Sequence, residues 1–160
     1  MSKFKFIELD KTLLPNTKGR RIDGHRFYEI DGKNYPSITT VLNIRKKEGL
    51  QEWRNNVGEE VANYEMRRAA NRGKATHTLV EQYLKGETPS ERGVLPLGLF
   101  KLLKPYVDQI NNVHLLESIM YSHKLTIAGQ VDCIAEYNGK LSVIDFKTAN
   151  KERQEGWIDN

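Results

Sequence analysis

Strand-forming residues flank Asp31-Gly32 and again Asn138-Gly139 along this chain. An Asp-Gly or Asn-Gly pair between two such runs predicts a β-hairpin closed by a type I′ turn. Ser37 follows the first hairpin and is placed to cap a short helix over 39–44, which the basic run Arg45, Lys46, Lys47 ends. The periodicity then turns helical over 50–72. There Ala62, Met66, Ala69 and Ala70 form an apolar stripe, while Tyr64, Arg67, Arg68, Asn71 and Arg72 share another face. Gly73 reads as an interruption, followed by a helix over 74–85 that buries Leu79, Val80, Tyr83 and Leu84 and stops at Gly86. The Pro- and Gly-rich stretch from Thr88 to Gly98 predicts an exposed loop, and 99–112 a further helix in which Pro105 marks a kink or the first turn. Strands are expected over 115–122, 125–128, 131–137 and 140–147. Residues 1–24, charged and aperiodic, read as a loose N-terminal arm, so the organisation expected is an arm over 1–25 and one domain over 26–160. Helices followed by a meander predict an α/β or α+β class, with a central mixed β-sheet flanked by helices.

Composition narrows this only a little. A chain of 160 residues is the size of one domain, and 38% apolar with 29% charged residues belongs to a globular protein. Its 25 Lys and Arg against 21 Asp and Glu give a net charge of +4, a mild match to a polyanionic partner. The single cysteine, Cys133, excludes an internal disulfide and a multi-cysteine zinc site, and points to a reducing compartment. The opening MSKFKFIELDKTLL has neither the apolar core of a signal peptide nor the character of a transit peptide, and no run nears the ~20 apolar residues of a membrane span. A cytoplasmic location, in a bacterial or phage-infected cell, is expected.

The acids of the second hairpin carry the chemistry. With a two-residue turn at Asn138-Gly139, Tyr137 pairs with Lys140, Asp132 falls opposite Asp145, and Lys147 shares their face. Like charges directly opposed destabilise a ladder, by roughly 1 kcal/mol at ~4 Å in water and about 4 at an effective dielectric of 20. Two readings follow. A divalent cation held by the carboxylates neutralises them, with Lys147 beside it to orient a water or offset charge on a phosphoryl group; or Lys147 bridges one acid while the other reaches solvent. On the helix over 74–85, His77 and Glu81 lie one turn apart at the border of the apolar stripe, facing a cleft at the edge of the core. The stripe of Tyr64, Arg67, Arg68 and Arg72, with Lys74 beyond it, mixes cations with a stacking ring. That mixture suits single-stranded nucleic acid, or else forms a solvated face.

Three segments in order, RGKATHTLVEQYL, GQVDCIAE and VIDFKTA, resemble the PD-(D/E)xK nuclease superfamily and its RecB-like exonuclease branch. Its Gly-x-x-x-His helix, Gly-x-x-Asp strand and Asp-x-Lys strand appear as Gly73 to His77, Gly129 to Asp132, and Asp145 to Lys147. YPSITTVL, with Trp53 in the next helix, is similar to the mitochondrial genome maintenance exonucleases and their phage relatives. The resemblance covers about residues 26–150 and implies a restriction-endonuclease-like core. It further implies Asp132 and Asp145 as metal ligands, the Phe146 carbonyl as another, His77 completing the shell, Lys147 as the catalytic lysine, and Glu117 as a secondary acid. Mg²⁺ or Mn²⁺ is the implied cofactor, DNA with a free end the implied partner, and metal-dependent DNA exonuclease the implied function. A noncatalytic nucleic-acid-binding or assembly module, or an endonuclease of the same fold, are the alternatives. Relatives add a helix bearing Gln-x-x-x-Tyr after the Asp-x-Lys strand. Here Gln154 is followed four places later by Ile158, so the core is expected to lack that helix and the domain to be C-terminally incomplete. No Gly-rich phosphate loop ending in Lys-Ser/Thr is present, so a helicase or replication motor would be a separate protein.

Overall fold

In a computed structural model, which describes residues 3–90 and 93–149 without the side chains of Lys11 and residues 44–48, three tight turns set the strand pairing. Asp23-Gly24 (φ 50° and 79°), Asp31-Gly32 (48° and 73°) and Asn138-Gly139 (50° and 76°) each hold both central residues at positive φ, as a type I′ turn demands. The first two join β1 (Arg20–Ile22), β2 (His25–Ile30) and β3 (Lys33–Pro36) into one antiparallel sheet. The third joins β5 (Ile127–Tyr137) to β6 (Lys140–Ile144), and β4 (Ile110–Ser122) completes a second antiparallel sheet. The class is α+β, as expected. Its strands divide into two sheets because two-residue turns make only antiparallel neighbours. Among the described residues parallel pairing is confined to the isolated bridges Phe6–Val113 and Ser37–Ala128, the second of which links the sheets.

Three helices cover them: α1 (Ile38–Val57), α2 (Glu59–Lys85) and α3 (Val94–Val107). Ser37 caps α1 as expected, its Oγ accepting the Thr40 N–H at 3.0 Å. The basic run at 45–47 does not end α1, since Lys and Arg are good helix formers; Gly58, at φ 85°, does. Gly73 does not interrupt α2 either. A mid-helix glycine costs roughly 1 kcal/mol against alanine, less than the packing of the turns on both sides supplies. Continuity of α2 fixes the phase, so that Ala62, Arg72, Thr76, Leu79, Val80 and Leu84 face inward. Arg72 therefore lies on the buried face, only 8% exposed, instead of beside Arg68 on the outer stripe. Helix α3 begins inside the segment expected to be a loop, because Pro96 sits in its first turn, where a missing N–H costs nothing. The strand break expected at 129–130 is likewise absent, and the helix expected over 99–112 ends at Val107, with β4 already begun at Ile110.

The larger core packs Leu79, Val80 and Leu84 of α2 against Phe100 and Val107 of α3 and against Val113, Cys133 and Ala135 of the second sheet. Burying each Leu, Val or Phe side chain among them contributes about 1.5–3 kcal/mol. A smaller core of Tyr28, Ile30, Tyr35 and Ala128 fills the space between the sheets. Within the stretch expected as an arm, residues 4–7 pack on the second sheet. Phe4 is 7% exposed within the larger core, and the chain beside it bonds Val113 twice, through Lys5 O and Ile7 N at 2.8 Å each. No helix of the described residues is long and apolar enough to cross a membrane.

Candidate metal centre and nucleic-acid face

Register is the first determinant of the site. Pairing runs from Tyr137–Lys140 to Cys133–Ile144, the frame read from the Asn-Gly turn, and β6 ends there, one step short of Asp132 and Asp145. Beyond that point the chain turns inward, so the Phe146 N–H donates to Asp132 Oδ2 at 2.8 Å. Asp145 swings outward and binds Lys147 Nζ at 2.7 Å, with both side chains more than half exposed. An ion pair so exposed contributes little to stability.

The acid that does face Asp132 is Glu117. Leu116 pairs with Cys133 and Ser118 with Val131, which sets Glu117 across the ladder from Asp132. Its φ of 48° is a left-handed conformation in mid-strand, whereas most such non-glycine residues here occupy turns. A backbone outlier of this kind costs of order 1–3 kcal/mol and persists where surrounding structure imposes it. The Glu117 carboxyl is pushed up, first by burial, then by the charges of Asp132 and Glu81, against a smaller opposing influence from His77. Gln130, two residues before Asp132, donates from Nε2 to Glu117 Oε2 at 2.7 Å and fixes that oxygen.

Helix α2 brings the third group. His77 lies one residue past buried Thr76 and meets the chain after β6, donating from Nε2 to the Phe146 carbonyl. Neutral imidazole carries one N–H, so this bond leaves a lone pair on Nδ1, the atom 3.6 Å from Asp132 Oδ2. A lone pair facing a carboxylate is favourable only with a proton or cation between them. Ligand atoms of His77, Glu117 and Asp132 all lie within 4.8 Å of one another, the sole such grouping of three among the described residues. One nitrogen and two carboxylate oxygens suit Mn²⁺ and Mg²⁺, and a ligating histidine whose other nitrogen is fixed by a backbone carbonyl is the usual arrangement. The donor set therefore fits a divalent cation. Asp145 and Lys147 stand outside this grouping but line the same cleft as Asp132, one of about 710 Å³. Glu81 pairs with Lys85 at 2.6 Å one turn beyond His77.

Of the two motif glycines, packing requires one. A Cβ on Gly129 would come within 2.9 Å of Ile38 Cδ1, so glycine lets the start of α1 close over β5. At Gly73 the nearest foreign atom would be Thr148 Oγ1 at 3.8 Å, ordinary contact. On the outer face of α2, Tyr64 is 64% exposed and Arg67, Arg68 and Lys74 are exposed, with Arg68 near Glu65 at 3.5 Å.

Comparison with known proteins bears on what such a centre does. The chain matches no protein-family model. It is 32% identical over 129 residues to the human mitochondrial genome maintenance exonuclease 1, across 74% of this chain and 38% of that protein. Its relatives are exonucleases. The Xenopus tropicalis protein of the same name is 28% identical over 130 residues, across 74% of this chain and 37% of its own. The mouse protein is 39% identical over 56 residues, 35% of this chain and 17% of its own. The chain thus spans less than two fifths of the length of the curated relatives it matches. The similarity supports a nuclease relationship.

Sequence reading missed Gln130, whose signal was its place two residues from Asp132 on the same strand face. It ranked Glu117 below Asp145, because the turn that sets the β4–β5 register, His123 to Thr126, holds no Gly, Asn or Pro to announce it.

Proposed function

We propose that this chain is the nuclease core of a metal-dependent DNA exonuclease of the PD-(D/E)xK superfamily, acting at strand ends and preferring single strands. The observation that carries the reading is the convergence of His77, Glu117 and Asp132 from three elements onto one grouping of donor atoms, in a chain whose relatives are exonucleases. His77, Glu117 and Asp132 would hold Mg²⁺ or Mn²⁺, with Asp145 beside them in the same cleft, while the Phe146 carbonyl is engaged by His77. A divalent cation there supplies Lewis-acid polarisation of a phosphoryl oxygen and a more acidic water. The chain's own groups do the rest. Gln130 holds one oxygen of Glu117, the Phe146 N–H fixes one oxygen of Asp132, and the Phe146 carbonyl orients His77. Lys147, released from Asp145, would place a cation beside the reacting phosphate, and Tyr64, Arg67, Arg68 and Lys74 would track the strand by stacking and charge.

Labelled linear and circular single-stranded DNA, incubated with Mg²⁺, with Mn²⁺ and with chelator, test the assignment. Loss of label from linear DNA alone, abolished by chelator, is expected. Cutting of the circle would indicate an endonuclease, and binding with no metal-dependent cutting would favour the noncatalytic module.

A further inference from the structure

We propose that the nucleic acid strand runs from the metal centre along a trough ending on the β1–β2 hairpin, where Arg21 and Arg26 hold its phosphates. The proposal rests on the nuclease reading above and adds a second contact surface to it. The 710 Å³ cleft that begins at Asp132, Asp145 and Lys147 ends at Arg26, Thr39 and Asn43. A second cleft, of about 420 Å³, starts at those same three residues and continues past His25 to Arg21. The two clefts share Arg26, Thr39 and Asn43 as a common border, and the proposed path crosses it from the acids to the hairpin. The walls of the larger cleft include Ile38, Leu42, Met120 and Tyr121, all partly exposed, a surface on which bases can stack.

Charge decides the occupant. Residues 18–26 hold Lys18, Arg20, Arg21 and Arg26 against Asp23, a net +3 in a chain whose total is +4. Arg20 is committed to Glu29 at 3.0 Å and to Asn34. Arg21 gives one N–H to Gly24 O at 2.9 Å, which orients its fork from the tight turn while its other donors remain for a phosphate. Arg26 is clamped through its backbone, its carbonyl accepting from Ser37 N at 2.8 Å and Thr40 Oγ1 at 3.1 Å, and its N–H donating to Thr40 Oγ1 at 3.1 Å. The same first turn of α1 lies against Gly129 of the metal strand. Hairpin cations and metal-binding acids are therefore fixed relative to each other, as a pre-organised track requires. Arg21 and Arg26 face each other across the β1–β2 ladder, and two like charges so opposed favour an anion between them; at the end of a cleft that starts at a candidate phosphodiester-cleaving site, a strand phosphate fits that place.

Fluorescence anisotropy of a labelled oligothymidine, titrated with salt in chelator, tests the proposal. R21A/R26A should bind more weakly at every salt concentration, with the slope of log affinity against log salt smaller by about 1.4, two contacts at about 0.7 each on a single strand. R21K/R26K, which keeps both charges, should keep the slope. Should the alanine pair lower the melting point, R21Q/R26Q retains most of both stems and reads the same slope. Unchanged affinity and slope in a stably folded variant would overturn the trough while leaving the nuclease reading intact. Failure of the wild-type chain to bind the strand at low salt would overturn both. Displacement of the oligothymidine by polyglutamate at equal charge concentration would overturn the assignment to nucleic acid.

Discussion

Glu117 and Asp132 present the pairing that electrostatics disfavours, two acids opposed across one ladder, with the first held in a left-handed conformation. Because burial and Asp132 raise the Glu117 pKa, its charged form costs folding free energy. The sign is that of a raised acid: stability is present at low pH and lost as pH rises through the folded value. E117Q keeps the shape and an oxygen for Gln130 but carries no charge. In chelator at neutral pH it should melt above wild type by about 2–4 °C, equivalent to about 1 kcal/mol in a protein of this size, and the gap should close in acid. Mn²⁺ should raise the wild-type melting point and shift E117Q far less, since only a ligand bound to the folded state stabilises it. A lower melting point for E117Q in chelator would mean that Glu117 is a structural partner and not a ligand held against repulsion. Lys147 makes a different prediction. Its ammonium touches only an exposed acid, so K147A should leave stability and strand binding near wild type while cleavage falls by two or more orders of magnitude. Equal losses of binding and cleavage would remove its reactive role.

At the scale of elements, local chemistry was the legible part. Turn pairs announced both expected hairpins, Ser37 announced α1, Gly86 closed α2, and the β5–β6 register followed from the turn alone. The same Asp-Gly signal at 23–24 was in view but went unread inside a charged stretch. Where packing outweighs propensity, the reading failed: α2 runs through Gly73, α1 through its basic run, and Arg72 lies inside because helix phase is carried across the glycine. For the candidate site, His77 and Asp132 were legible from their positions on a helix border and a strand. The pre-eminence of Glu117 was hidden by a β4–β5 turn at 123–126 without Gly, Asn or Pro, and the outward turn of Asp145 by the early end of β6. Gly129 connects element packing to the site. G129A should destabilise by about 1 kcal/mol through contact with Ile38. I38V, which removes the offending Cδ1, should recover most of that loss in a double-mutant cycle read by denaturant unfolding. Additive effects would place the strain elsewhere.

At the scale of the molecule, the N-terminal residues tie the second sheet to α2 and α3. Phe4 enters the core edge-on to Tyr83, and Lys3, Lys104 and the Tyr83 hydroxyl converge on Asp108 at 2.6, 2.8 and 2.6 Å. Those donors, Lys104 first and Lys3 next, hold the Asp108 carboxyl far below the ordinary range, and the Lys104 ammonium is pushed up to about 12. For a depressed acid the stabilisation is present above the unfolded pKa and lost as pH falls towards the folded one. D108N should accordingly flatten the acid limb of stability below about pH 4. Yet these charges are solvent-exposed, and exposed pairs contribute little and are screened by salt. Phe4 is buried, and truncating a buried phenylalanine costs about 3–5 kcal/mol. The tie is therefore held by the ring, and the charges align it. F4A should lower unfolding free energy several times more than D108N at neutral pH, with the difference unaffected by added salt. Equal losses from the two variants, or a Phe4 effect that salt erases, would show that the ion cluster, not the core, anchors the N-terminal residues.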